Sequence, residues 1–310
     1  DPLIIETCRR VAPKLEIHLS TQQSLSNWKA VKYWKEEGLH RVVLAREVGA
    51  EEMQKMKEEV DIEIEAFVHG AMCIAYSGRC VLSNHMTARD SNRGGCCQSC
   101  RWDYDLYENK DGEEVPLFEE GDAPFAMSPK DLKLIESIPH MIELGIDSLK
   151  VEGRMKSIHY VATVISVYRK VIDAYCADPD NFQIKKQWLE ELSRCAIRAT
   201  ASAFFESEPS YKQQMFGFHA SKPKWDFAGL VLDYDAETQM VTMEQRNYFK
   251  PGDTVEFFGP DIETFQMTVG QLWDEEGNEL DVARHPLQIL KFKVDRPLHQ
   301  YNMMRKENKK

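Results

Sequence analysis

The chain has 310 residues, of which 43% are hydrophobic and 29% charged. That composition excludes a disordered tail or a collagen-like rod and leaves room for two domains. Lys and Arg total 39 against 51 Asp and Glu, and the net charge of −12 argues against tight nonspecific nucleic-acid binding.

No run of about 18 apolar residues marks a membrane span. The opening residues, DPLIIE, lack the basic and apolar parts of a secretion signal, so the cytoplasm is the expected compartment. Without an initiator Met, the chain reads as a piece of something longer.

Residues 15–20 (LEIHLS) read as a strand, and 26–38 as a helix with Trp28, Val31 and Trp34 or Lys35 at helical spacing and Gly38 as the stop. Residues 41–46 (RVVLAR) give a second strand, 51–59 a charged helix, and 62–68 (IEIEAFV) a third strand. Strand and helix alternating in this way mark a parallel α/β sheet. The alternation breaks over residues 70–125, an insertion with a polar hairpin around 109–112. Ser128-Pro129-Lys130-Asp131 resembles a helix start, with Ser128 as cap, and predicts a helix to about residue 144 kinked at Pro139. Residues 148–152 (SLKVE) give a fourth strand, and helices follow over 158–175 and 185–195. Beyond Pro223, short strands over 227–234, 240–245, 254–258, 265–272 and 287–294 predict a small β-barrel.

The expected domains are 1–222 and 223–310, with the boundary near 218–226. Only four α/β strands precede the barrel, whereas a closed (β/α)₈ barrel needs eight. The fold class expected is therefore α/β: a partial (β/α) TIM-like barrel with its N-terminal strands missing and a Cys-rich insertion, then a small C-terminal β-barrel.

Two segments run against the acidic average. Residues 71–101 are net +3, with Arg79, Arg89, Arg93 and Arg101 against Asp90, and residues 291–310 are net +5. Of eight cysteines, Cys73, Cys80, Cys96, Cys97 and Cys100 cluster, while Cys8, Cys176 and Cys195 are scattered and read as structural. Cys73, Cys80, Cys96 and Cys100 offer four thiolates from one insertion. Zinc sites usually use closely spaced cysteine pairs, so this wider spacing favours an iron–sulfur cluster, with zinc as the alternative and free thiols as a third reading. Cys97 is a poor ligand candidate if its neighbour binds, because adjacent side chains point apart.

The segments FVHGAMCIAYSGRC (67–80), NRGGC (92–96), Cys100-Arg101-Trp102, SLKVEGRMKS (148–157) and QRNYFKPGD (245–253) resemble the U-32 collagenase-like peptidase family over nearly the whole chain. The resemblance implies that Cys73, Cys80, Cys96 and Cys100 hold a [4Fe–4S] cluster. It implies membership of a branch that hydroxylates tRNA wobble uridine to 5-hydroxyuridine with prephenate as co-substrate. The basic segment 291–310 would then be a handle for tRNA phosphates, against a solvated, disordered end as the plainer reading. Two rivals follow from the same family: a peptidase, and a noncatalytic cluster-carrying subunit that works with a homologous partner.

His69 ends a strand beside Cys73 and is a candidate acid–base or supporting group. Glu152 and Arg154 end the SLKVE strand, where α/β barrels gather catalytic groups. The planar fork of Arg154 suits a carboxylate such as that of prephenate, and Arg79 and Lys156 are weaker versions of the same idea. Ser20 and Gln22, just past the first strand, are candidates for substrate contact, against simple helix capping. Trp102 and Tyr104 suit base stacking, against buried packing as the plainer reading. No His-Glu-x-x-His, Gly-x-Ser-x-Gly or Gly-rich phosphate loop is present, so peptidase chemistry and a nucleotide cofactor find no motif.

Overall fold

The computed structural model describes residues 1–308 except 103, 105–106, 111–112, 117–127, 207, 209, 211–212 and 216–223. Two compact units divide the chain: residues 1–155, 171–184 and 198–221, and residues 156–170, 185–197 and 222–310. The predicted boundary at 218–226 falls mostly outside the described residues.

The first unit opens with a helix the sequence reading passed over, α1 (Pro2–Val11), capped by the Asp1 carboxylate accepting from the Leu3 amide at 2.8 Å. Then come β1 (His18–Leu19), α2 (Trp28–Glu36), β2 (Arg41–Val43), α3 (Ala50–Glu59) and β3 (Glu63–Gly70), the alternation that the hydrophobic pattern predicts. The three strands pair in parallel, His18 opposite Arg41 and Val42 opposite Ile64. Val42, Ile64 and Val68 on the strands, Val31 on α2, and Met53 and Met56 on α3 are buried. Each such side chain contributes about 1.5–3 kcal/mol through area removed from water.

The insertion carries α4 (Leu82–Thr87) and an antiparallel pair, β4 (Tyr107–Lys110) and β5 (Glu113–Pro116); the turn residues 111 and 112 of the predicted hairpin lie outside the described residues.

The helix predicted to start at Ser128 does not form. The segment makes β6 (Asp131–Lys133), and the helix there is the short α5 (Ile138–Glu143). The reason is electrostatic. The Asp131 carboxylate is 3% exposed and accepts from Arg101 at 2.9 Å, with Arg198 3.7 Å away, so it is held inside rather than at a helix end. Pro139 sits in the first turn of α5, where its missing N–H costs nothing, and does not kink a longer helix.

Then follow β7 (Ser148–Glu152), α6 (Ile158–Ala177), α7 (Lys186–Cys195) and β8 (Thr200–Ala201). β7 runs parallel to β3, with Gly70 opposite Glu152, whereas β6 is antiparallel to β3 at His69 and Gly70 and pairs with β8. The first unit is thus built on a mixed six-stranded sheet in an α/β arrangement.

The second unit takes the first part of α6, α7, and eight antiparallel strands: β9 (Trp225–Asp235), β10 (Met240–Gln245), β11 (Thr254–Phe258), β12 (Phe265–Thr268), β13 (Leu272–Trp273), β14 (Glu279–Leu280), β15 (Ile289–Lys293) and β16 (Met303–Glu307). They follow the order β12-β11-β16-β9-β10-β15-β13-β14 and curl into a half-barrel around Met243, Phe249, Phe257, Leu290 and Phe292.

β16 takes Arg305 and Lys306 out of the reading of residues 291–310 as an RNA handle. It is an inner strand between β11 and β9, and Arg305 on it is 0% exposed. The Arg305 guanidinium bonds Glu191 of α7 and Glu256 of β11, and Lys306 lies 2.9 Å from Asp253. A cation buried on carboxylates has no face left for phosphate. Lys309 and Lys310 lie outside the described residues. Among the described residues no helix is long and apolar enough to cross a membrane.

Candidate cysteine site at the strand ends

β1, β2, β3 and β7 are parallel, so their C-terminal ends lie on one edge of the sheet, the edge where α/β folds place their chemistry. The insertion is docked there. It leaves β3 through Gly70, whose φ is +104°; a Cβ at that position would overlap the Glu152 carbonyl at the end of β7. Ser77 receives three contacts from the loops after β1 and β2. Its amide donates to Glu47 at 2.6 Å, its hydroxyl accepts from the Arg46 amide at 3.1 Å, and its carbonyl accepts from Ser24 at 2.6 Å. Gly78, at φ +76°, abuts the Gln22 carbonyl so closely that no side chain fits.

The second half of the insertion folds back on the first. The Ser91 hydroxyl donates to the Cys80 carbonyl at 2.6 Å, and the Cys97 amide donates to Ser83 Oγ at 3.2 Å. Two arginines then staple it. Arg101 donates to the Met72 carbonyl at 3.0 Å while paired with Asp131, and Arg154 donates to the carbonyls of Gly94, at 2.6 Å, and Cys96.

Four thiols feel one another across this fold. Burial pushes the Cys100 thiol up to about 11; Arg101 opposes this, and Cys73, Cys96 and Cys80 add to it. Burial likewise raises Cys73, with Arg46 opposing and Cys96, Glu47 and Cys80 adding. Cys97 stands apart, held down to about 7 by hydrogen bonds with Ser83 at 3.3 Å and Thr87 at 3.5 Å. Among the described residues no three His, Cys, Asp or Glu side chains converge as ligands of a single metal ion. Elsewhere, Cys195 is buried as read, and burial lifts it to about 12; Cys176, read as a packing residue, is exposed.

The other candidates fall as follows. His69 is buried near the end of β3, opposite Lys133 and Val151. Glu152 accepts from the Arg154 amide at 3.1 Å and lies 4.0 Å from Arg46. Arg154 aims its fork at two backbone carbonyls, which makes it a positioning group for Cys96. The Ser20 hydroxyl caps the short turn at the Gln22 amide at 3.2 Å, while the Gln22 side chain reaches the Ser91 carbonyl at 3.4 Å. Arg79 is exposed. Lys156 belongs to the second unit, its ammonium 4.8 Å from the Tyr160 ring centre. Trp102 is 44% exposed rather than packed, and the Tyr104 hydroxyl donates to the Ser99 carbonyl at 2.7 Å.

The sequence reading missed Arg46, whose side chain is 9% exposed with its guanidinium 3.9 Å from the Phe67 ring centre. Its place at the end of the RVVLAR strand is the signal that points to it.

The chain thus carries an α/β sheet with a cysteine-bearing insertion at its strand ends, and an antiparallel half-barrel. The chain belongs to peptidase family U32: that family matches residues 1–215, and its C-terminal domain matches residues 223–305. It is 75% identical over 306 residues to tRNA hydroxylation protein P1 of Bacillus subtilis, covering 99% of this chain and 72% of that protein. It is 31% identical to tRNA hydroxylation protein P of Escherichia coli, covering 91% and 71%. A collagenase of Porphyromonas gingivalis is 35% identical over 190 residues, 58% of this chain and 45% of that one. Among solved structures, the C-terminal domain of a Geobacillus thermoleovorans protein described as a U32 peptidase is 69% identical, covering 27% of this chain and 93% of that chain, with a TM-score of 0.26.

Proposed function

We propose that this chain acts in the cytoplasm to hydroxylate tRNA at the wobble uridine, with prephenate as co-substrate and a [4Fe–4S] cluster on Cys73, Cys80, Cys96 and Cys100. The mixed sheet is then the part of a TIM-like barrel that these residues supply. The observation that carries the reading is the 75% identity, over 99% of the chain, to a tRNA hydroxylation protein.

The donor set supports the cluster. The four thiols interact with one another, yet no three of them meet as ligands of one ion. Four thiolates from one insertion are the number a cubane takes, and their wide spacing in sequence departs from the close cysteine pairs usual at zinc. Such a cluster supplies one-electron transfer. The thiols must lose their protons to bind it. Arg46 beside Cys73 and Arg101 beside Cys100 favour the thiolates against burial. Arg154 fixes the backbone on both sides of Gly95. Glu152 and His69 are the titratable groups that the strand ends add.

The collagenase relative favours peptidase activity as a second reading. The chemistry is weaker. Cys97, the thiol held down to about 7, is hydrogen-bonded to Ser83 and Thr87, whereas a cysteine protease activates its thiol with an imidazole. Nucleoside mass spectrometry of tRNA from a strain deleted for the gene, with and without a plasmid copy, tests the proposal. Return of 5-hydroxyuridine only with the plasmid is the expected result; equal levels in both would overturn it.

A further inference from the structure

We propose that the outer face of the cysteine insertion, through Tyr76, Arg79, Arg89 and Trp102, seats an unpaired loop of RNA. The inference rests on the tRNA reading above and adds where, and by what chemistry, the RNA is held.

Charge is the first argument. Several arginines of the chain are committed internally: Arg305 to Glu191 and Glu256, Arg101 and Arg198 to Asp131, Arg41 to Glu63. Arg79 and Arg89 are exposed, and among the described residues neither has a carboxylate partner. Arg93 joins them with its side chain 88% exposed, 3.6 Å from Asp90. On a chain of net charge −12, unneutralised arginines gathered on one insertion mark a face for an anion.

Aromatic exposure is the second argument. Tyr76 is 72% exposed and Trp102 44%. Flat rings beside arginines are the pairing that single-stranded nucleic acid uses, bases stacking on the rings and phosphates meeting the cations. A duplex hides its base faces, so the match is to a loop.

Position is the third. Tyr76 and Arg79 lie between Cys73 and Cys80, and Trp102 lies two residues beyond Cys100. Arg101, next to Trp102, donates to the Met72 carbonyl at the start of the Cys73 stretch at 3.0 Å, and the Ser91 hydroxyl closes the following turn onto the Cys80 carbonyl. A base held here is presented to the cysteine site.

The test is fluorescence anisotropy of a labelled anticodon stem-loop RNA, and of the same stem closed as an uninterrupted duplex, over a range of salt concentrations. Arg79→Gln with Arg89→Gln should lower the salt slope by about 1.4, roughly 0.7 for each lost phosphate contact. Tyr76→Ala with Trp102→Ala should weaken stem-loop binding about ten-fold or more and leave the slope unchanged. Lys291→Gln with Lys293→Gln, on β15, should change neither. Melting temperature and iron content, unchanged in all variants, exclude misfolding as the cause. Parent-like affinity in the variants, or equal affinity of the parent for loop and duplex, overturns the proposal. Tighter binding of a polyglutamate peptide than of the stem-loop would assign the face to an acidic protein and overturn it too. If the plasmid copy restores 5-hydroxyuridine while every variant binds as the parent does, the seat fails and the function stands. A parent that restores none fails the function itself.

Discussion

Arg154 donates to the carbonyl oxygen of Cys96, and its other terminal nitrogen reaches the Gly94 carbonyl at 2.6 Å. One guanidinium thus ties the end of β7 to the loop that carries a candidate cluster ligand, from 58 residues away in sequence.

Arg154→Lys should therefore loosen Cys96 although the charge is kept, because a point charge cannot span two carbonyls. Iron retained per chain should fall, and alkylation of Cys96 in the metal-free protein should speed up several-fold. Parent-like values of both would remove Arg154 from this role.

Cys96→Ser and Cys100→Ser should each lose iron and labile sulfide, whereas Cys97→Ser, whose thiol faces Ser83 and Thr87, should keep both. Metal and sulfide analysis of anaerobically purified protein is the check. Zinc without sulfide in the parent would contradict the cluster.

Arg305→Met should destabilise the second unit by about 2–3 kcal/mol, less than a fully unpaired buried charge would cost, since Glu256, 3% exposed, and Glu191 lose one of their two guanidiniums and keep Arg194, at 2.6 and 3.2 Å. Adding Glu256→Gln should recover part of the loss. Urea unfolding measures both, and a loss below about 1 kcal/mol would show that the pair is not holding α7 to the sheet.

That network also shows why parts of the fold escape the sequence. Arg305 meets partners 49 and 114 residues away, so β16 looks like a basic tail until its carboxylates are found. Asp131 is the same case: its partner Arg101 is 30 residues upstream, and Ser128-Pro129-Lys130-Asp131 taken locally imitates a helix cap. Where burial alternates the pattern is legible, as in β10, whose bounds of 240–245 match the reading, and β3 is legible as a buried apolar run. The cysteine locus is legible because its residues sit close in sequence. Arg46 is legible only as a strand-end residue, and its influence on Cys73 comes from the fold.

His159 gives a pH signature. It packs against Phe227 and Phe258 at 5.8 and 5.5 Å, with no hydrogen-bond partner at Nε2 among the described residues. Burial, then the nearby Arg305, hold its pKa down to about 4 from 6.5, with Glu191 opposing. The folded state keeps the imidazole neutral while the unfolded chain takes up a proton below 6.5. Stability is therefore full above that pH and falls, by up to about 3 kcal/mol, as pH drops toward about 4. The ionised Glu191, also held low by Arg305, loses its contribution only at more acid pH, below 4.5. His159→Phe should flatten the decline between pH 6.5 and 4, read as urea midpoints, and an unchanged slope would contradict the assignment.

The most direct test of the whole account compares tRNA from the deletion strain carrying the intact gene with tRNA from the same strain carrying Cys100→Ser, at matched protein levels. The account predicts 5-hydroxyuridine at the wobble position with the intact gene and its loss with Cys100→Ser. Full modification with Cys100→Ser would contradict the claim that this cysteine site performs the reaction.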